Sequence, residues 1–404
     1  MTYREAVERL YALGNELPKT AKFGLENITR TLDALGNPHR VPRFIHVAGT
    51  NGKGSTCAMI EAGLREAGHR TGLYTSPHLI QPTERIQLAG APISQQQFTE
   101  AFEEVELVGL TTYFESVTAM AFLLFAREAE IVVLETGLGG RLDATNVVTP
   151  ELSVITPIDY DHQFFLGNTL LQIASEKAGI CKPGIPAVIA PQHPEALPAF
   201  AHHQPLIATE NWPLHNVNLT KWNSKFEAGN LSITCPLAGA HQIENARTAA
   251  VALAQLNVNP KGIANAHWSG RLERIATNPD VIVDGAHNPA GARALAAYIR
   301  QFFPGERLTL VFGAMRDKAV QEMAQILFPL FDEVILTAPH QSRAMPAQEI
   351  ATLATHPNLT IANSLSDLPR FTGTTFIAGS LFLVGEALTL RAPAHTTQPP
   401  DVQS

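Results

Sequence analysis

Residues 43–68 read as an apolar run of strand length, RFIHVA, a glycine-rich turn, GTNGKG, and an amphipathic segment, STCAMIEAGLREAG. Apolar residues in the last segment recur near i, i+3, i+4 and i+7, the period of a helix. A strand that feeds a helix through a tight turn is the opening half of a parallel β-α-β unit, and the same alternation recurs along the chain. Strands are expected over 43–48, 130–135 and 152–156. SQQQFTEAFEEVEL opens on Ser94 with Gln97 three residues on, a capping box, and NTLLQIASEKAGI runs from a Thr169 cap to Gly179, so both read as helices. Residues 204–235, with Trp212, Trp222 and GNLSIT, lose the helical period and read as short antiparallel strands attached to the main sheet. After the helical stretch HQIENARTAAVALAQL the alternation restarts at residue 280 with VIVDG, LTLVFG, EVILTA, LTIA and TFIAG, helical patterns between them. The expected fold class is α/β. A mostly parallel sheet domain with a small antiparallel β subdomain spans 1–267, a smaller Rossmann-like α/β domain 268–390, and a disordered Pro-, Thr- and Gln-rich tail 391–404.

Composition removes several classes of function. No apolar run approaches the ~20 residues of a membrane helix, and the N-terminus MTYREAVERLYALGNE has neither an apolar core nor a small-residue cleavage site. A cytoplasmic protein without a membrane partner is expected. Cys57, Cys181 and Cys235 are odd in number and lack C-x-x-C spacing, which argues against disulfides and zinc and for small buried apolar residues. With 29 basic against 37 acidic residues, net charge -8, there is no general surface for nucleic acid. Any phosphate must be held locally.

The turn at 49–54 is where that can happen. Backbone N–H groups at a strand-to-helix turn, with the positive end of the helix, form a concave anion site, and Lys53 adds a mobile charge. The pattern G-x-x-x-x-G-K-[ST] is not matched strictly, because Gly54 stands between Lys53 and Ser55. A tight turn with a surface lysine is the bland alternative. A nucleotide site also needs hard oxygen ligands for magnesium, best placed at the ends of neighbouring parallel strands. Glu135 ends IVVLE before the glycine-rich TGLGGRLDATN, Asp159, Asp161 and His162 follow ITPI, and Ser76 lies in YTSPHL. Each also has a plain reading, as a solvated acid, a structural histidine or a capping serine.

Taken in order, HVAGTNGKGS, TSPHL with ERI, ETGLGGRLDATNV, DHQFFLGNTLLQIASEKAGICKPG, GRLERI and DGAHNPAG resemble the motifs of the folylpolyglutamate synthase and dihydrofolate synthase family of the Mur ligase superfamily. The resemblance covers nearly the whole chain and accounts for Gly54. It implies an ATP-binding Mur-ligase-type central domain over 1–267 and a glutamate-ligase domain over 268–390. Thr50, Asn51, Gly52, Lys53, Gly54 and Ser55 would then hold the ATP phosphates, and Ser76, Glu135 and His162 would ligate magnesium, with two ions expected. Lys177 matches a position that is a carbamylated lysine in related enzymes; the residues alone would make it a solvated helix lysine. Asn245, Arg271 and Asp284 match nucleotide contacts at the interdomain cleft, with His287 beside them, and Lys53, Lys177 and His287 are the catalytic candidates. Phe23, Gly24, Leu25 and Glu26, Thr112, Tyr113, Phe114 and Glu115, and Leu142, Asp143 and Ala144 match segments that hold the pterin substrate.

The implied reaction is ATP-dependent joining of L-glutamate to dihydropteroate or a reduced folate, through an acyl phosphate, by a monomer. WSGRLERI reads as the hinge. Two alternatives stand beside it, a Mur-type ligase acting on a cell-wall precursor and a P-loop kinase or nucleotide switch. The first is expected to carry a different N-terminal substrate domain; the second leaves DGAHNP and the second domain without a use.

Overall fold

The computed structural model describes residues 1–14, 24–203, 205–368 and 370–391. Phe23 and the expected tail from residue 392 onward lie outside the described residues, whereas Arg391 still belongs to the helix Leu381–Arg391. By its contacts the chain divides into two units. The first comprises Met1–Asn218, Lys225–Pro236 and Gln242–His267, and the second Leu219–Ser224, Leu237–His241 and Trp268 onward.

The first unit is built on an eight-stranded sheet. Its strands are β1 (Arg43–Ala48), β2 (Thr71–Tyr74), β3 (Ile86–Leu88), β4 (Ala91–Pro92), β5 (Ile131–Glu135), β6 (Leu152–Ile155), β7 (Ala187–Ile189) and β8 (Leu206–Ile207). They lie in the order β4-β3-β2-β5-β1-β6-β7-β8. From β2 to β8 every pairing is parallel; β3 and β4 add an antiparallel edge. A parallel strand covered on both faces must be apolar on both, which is why RFIHVA and IVVLE are continuous runs and not alternating ones. All five residues of β5 are buried, Glu135 among them. The helix Tyr113–Glu128 and its neighbours cover one face, where Phe44, Phe122 and Phe125 pack. The helix Leu170–Ala178 covers another stretch, where Ala48, Ile155 and Ile173 pack. Ser94 makes the capping box its spacing predicts, with Gln97, and the expected Thr169 cap proves to be a capping box as well, with Gln172.

The stretch 204–235 departs from its expectation. Leu206–Ile207 joins the main sheet as β8, in parallel with β7, and Ala208–Asn211 is a short helix. β9 (Leu214–Leu219), β10 (Ser224–Ala228) and β11 (Leu231–Cys235) form a separate three-stranded sheet, order β11-β10-β9. Connections this short allow only antiparallel neighbours, and Gly229-Asn230 is a favoured two-residue hairpin turn. The hairpins satisfy one another, so they need no edge of the main sheet.

The second unit carries a six-stranded sheet of β12 (Glu273–Ala276), β13 (Val281–Asp284), β14 (Leu308–Phe312), β15 (Glu333–Leu336), β16 (Leu359–Ile361) and β17 (Thr374–Ala378), ordered β12-β13-β17-β14-β15-β16. Only β12 is antiparallel. The five strands expected after residue 280 are all present, and Ile282, Leu310, Phe312 and Phe376 form their core.

Candidate active site

Register brings the site of the first unit together. Val47 pairs with Glu135, Ala48 with Ile155 and Tyr74 with Leu134, so β1, β2, β5 and β6 end level with one another. The loops carrying Lys53, Ser76, Glu135 and His162 therefore leave one edge of the sheet, at the carboxyl ends of the strands where open α/β sheets bind ligands.

The phosphate-loop candidate is shaped by two glycines. Gly52 caps the helix Lys53–Glu66 at φ 83°, a left-handed conformation, and a Cβ there would come within 2.3 Å of Asn245 Oδ1. Gly49 has φ 152°, and a Cβ there would meet Thr156 Oγ1 at 1.9 Å. Both positions need a residue without a side chain. Thr50 and Asn51 donate their amides to Pro157 O at 3.0 and 3.2 Å, and Thr50 Oγ1 donates to Asp159 O at 3.0 Å. The turn is thus tied to the loop after β6. From the helix Ala240–Gln255, Gln242 Nε2 donates to Ser55 Oγ at 3.2 Å and Asn245 Nδ2 to Gln242 Oε1 at 3.0 Å. Gln242 was not among the residues expected here; its i, i+3 spacing from Asn245 on a helix was the available signal.

Lys53 Nζ lies 3.8 Å from Glu135 Oε1, and Ser76 N lies 3.4 Å from Glu135 Oε2. A carboxylate and a serine hydroxyl are hard oxygen donors, the chemistry magnesium prefers. His162, at φ 50°, has its amide on Asp161 Oδ1 at 2.9 Å and its ring 3.8 Å from the same carboxylate. Among the described residues no group of three or more His, Cys, Asp and Glu gathers as a metal site, so Glu135 and His162 bring no third ligand of those types with them.

Lys177 is buried, contrary to the plain reading of SEKAG as a solvated face. Its Nζ donates to Gly49 O at 2.8 Å. Burial, and then the positive charge of Lys53, push its amine down to about 7, against the pull of Asp161 and Asp143. Its helix is set by glycines in close contact. A Cβ at Gly140 would meet Glu176 O and Lys177 O at 2.9 Å, and one at Gly179 would lie 2.6 Å from Arg141 Cα. Asn146 completes the joint, donating to Arg141 O at 2.9 Å and Gly179 O at 3.2 Å and accepting from Lys182 Nζ at 2.7 Å.

The segments expected to hold the pterin have local duties as well. Thr112 and Glu115 form the capping box of the helix Tyr113–Glu128. Tyr113 is buried and stacks on Tyr11 at 5.6 Å, while the Phe114 ring lies where a Cβ on Gly137 would be, at 2.4 Å. Asp143 is buried between the half-buried Leu142 and the buried Ala144. It accepts from Leu138 N at 2.8 Å and from Thr145 N and Oγ1 at 3.0 and 2.5 Å, and burial pushes its carboxyl up against those bonds. Gly24 and Leu25 lead into the helix Glu26–Ala34, and Glu26 is exposed.

In the second unit Asp284 ends β13. Its carboxylate accepts from Leu272 N and Ala286 N, both at 3.0 Å; burial raises its pKa, with the charge of Arg271 opposing. A Cβ at Gly285 would meet Arg271 Nη1 at 2.4 Å, so the guanidinium lies along the DGAHNP turn. His287 Nδ1 is 2.8 Å from Gly285 O, and Asn288 caps the helix Pro289–Phe302. Arg271, Asp284 and His287 thus cluster at one strand end.

The model of the Mur ligase middle domain matches residues 47–254, and that of the Mur ligase glutamate ligase domain matches residues 270–372. With the fold described above, these define an ATP-dependent ligase, with ATP as co-substrate. The dihydrofolate synthase/folylpolyglutamate synthase of Bacillus subtilis is 36% identical over 405 residues, covering 90% of this chain and 94% of that protein. The folylpolyglutamate synthase of Lacticaseibacillus casei is 35% identical over 424 residues, covering 95% and 97%. A crystal structure of Mycobacterium tuberculosis folylpolyglutamate synthase complexed with ADP and AMPPCP superposes with a TM-score of 0.88 at 32% identity, covering 97% of this chain and 99% of that one. The chain belongs to the folylpolyglutamate synthase/dihydrofolate synthase family.

Proposed function

We propose that the protein activates the carboxylate of dihydropteroate or a reduced folate with ATP and joins it to L-glutamate. The observation that carries this is the level ending of β1, β2, β5 and β6, which sets Lys53, Ser76 and Glu135 at one sheet edge beside a phosphate-loop turn. Structural relatives support it: one is an FPGS-AMPPCP-folate complex and another is E. coli FolC in complex with DHPP and ADP.

A carboxylate is too poor an electrophile for an amine, so the γ-phosphoryl group is first transferred to it. Lys53 and the amides of Thr50–Ser55 would neutralise the charge that develops on that group. The α-amine of glutamate then attacks the acyl phosphate, a tetrahedral adduct forms, and inorganic phosphate leaves. Magnesium, two ions in this reading, would be held by Ser76, Glu135 and His162 and would neutralise phosphate oxygens. Lys177, with an amine near neutrality, would take up carbon dioxide, lose a proton and become a carbamate, turning a cation into an oxygen ligand. Asn245, Arg271, Asp284 and His287 would complete the nucleotide site, residues 1–267 serving ATP and 268–390 glutamate. Gly24–Glu26, Thr112–Glu115 and Leu142–Ala144 would hold the pterin, and the enzyme would act as a cytoplasmic monomer.

The test is phosphate release from ATP, with dihydropteroate and tetrahydrofolate assayed separately. Release that needs both glutamate and one of the pterins is expected. ATP hydrolysis indifferent to both would overturn the proposal.

A further inference from the structure

Between β2 and β3 the chain turns back on itself over residues 75–85, the stretch that carries Ser76. Thr75 N donates to Arg85 O at 3.0 Å and closes the base of the turn. Glu84 fills its far side. Its carboxylate accepts three successive amides, from Leu79 at 2.8 Å, Ile80 at 3.0 Å and Gln81 at 2.7 Å. Arg85 is 1% exposed, and its Nε donates to His78 Nδ1 at 2.8 Å. With Nδ1 accepting, the neutral ring carries its proton on Nε2, which faces the Tyr11 hydroxyl at 3.3 Å. The same guanidinium lies 5.2 Å from the centre of the Tyr113 ring, which stacks on Tyr11. Burying a guanidinium is costly unless its contacts are specific. Here Arg85 ties His78 of the loop to the ring of Tyr113, and the loop presents Ser76 N to Glu135 Oε2 at 3.4 Å.

We infer that Glu84, Arg85 and His78 are positioning residues that hold the backbone of Ser76 against Glu135, so that the loop carrying the serine hydroxyl is set beside the carboxylate without a cation or nucleotide to order it. The inference rests on the reading of Ser76 and Glu135 as cation ligands. It gives the ERI segment its use: Glu84 closes the loop through its amides, and Arg85 pins it through His78 to Tyr11 and to the ring of Tyr113. A loop pre-shaped in this way spends no binding energy on ordering itself.

The test uses the full chain with ADP present and Mn2+ as the probe, the free ion being read by electron paramagnetic resonance, beside steady-state kinetics and thermal melting. Arg85→Lys and Glu84→Ala are expected to weaken Mn2+ binding about tenfold or more and to lower kcat while leaving the KM for glutamate nearly unchanged. Glu84→Gln, which keeps one acceptor oxygen, falls between Glu84→Ala and the parent. Where Arg85→Lys does not fold, His78→Gln carries the same expectation from a half-buried position. Ser76→Ala and Glu135→Gln run in parallel. If they weaken Mn2+ binding but the folded loop variants bind it within twofold of the parent, the positioning inference is wrong and the cation reading stands. If Ser76→Ala and Glu135→Gln bind Mn2+ as the parent does, the cation reading fails and takes the inference with it.

Discussion

An amine buried without a full countercharge favours its neutral form, and Lys177 shows what that does in both directions. Its folded value of about 7 lies below the unfolded 10.5. Between those values the unfolded chain binds the extra proton, so stability rises as pH rises through that window; below about 7 both states are protonated and the penalty is constant. Denaturant midpoints should therefore climb from pH 7 to pH 9, and Lys177→Met should flatten the climb. An equal slope in the variant would mean that the amine keeps its ordinary affinity for protons. The same neutral fraction is what a carbamate needs. Arginine keeps a positive charge but cannot form a carbamate, so Lys177→Arg should lose activity as badly as Lys177→Ala, by about a hundredfold. Normal turnover in a folded Lys177→Arg would return Lys177 to the role of a simple cation beside Gly49 O. The helical period carried a sign of this burial that the plain reading of SEKAG passed over: Lys177 stands three, four and seven residues after Ala174, Ile173 and Leu170, on the one buried face of their helix.

At the scale of elements, close backbone approach does what side chains cannot. The loop after β5 and the helix Leu170–Ala178 touch through Gly140 and Gly179. A methyl group at Gly179 would press on Arg141 Cα and Cβ at 2.6 and 2.4 Å, which can be relieved only by moving backbone. Gly179→Ala should cost about 1–3 kcal/mol in urea unfolding and lower kcat by shifting Lys177. Gly373→Ala is the control, because its added Cβ meets only Arg307 O, at 3.5 Å. Equal stability for the two variants would show that the joint is slack. The local elements were legible: β1 over 43–48, the capping box at Ser94, the cap at Thr169 and the helix stop at Gly179 follow from period and end chemistry. The independent three-stranded sheet was not, because a polar hairpin that pairs with itself carries the same pattern as one that extends a larger sheet. Asp143 and Glu84 were opaque for a related reason. A carboxylate that closes its own loop through backbone amides looks, in sequence, like any acid beside a turn.

At the scale of the whole molecule, the order β4-β3-β2-β5-β1-β6-β7-β8 decides which strand tips face one ligand, and no single-sequence pattern fixes such an order. What sequence did supply was the succession of six motifs. Their place in the chain sets Lys53, Ser76 and Glu135 on neighbouring strand ends once the parallel register is made. Arg271, Asp284 and His287 gather likewise at one strand end of the second unit, where DGAHNP turns into a helix. On the proposed reaction, this arrangement passes the γ-phosphoryl group of ATP to a carboxylate before glutamate attacks. Dihydropteroate or tetrahydrofolate labelled with oxygen-18 in the reacting carboxyl group tests it directly, by mass spectrometry of the phosphate released. An acyl phosphate predicts that each phosphate carries away a labelled oxygen from the carboxyl group. Phosphate without label, formed at the same rate as the amide product, would mean that no acyl phosphate lies on the path.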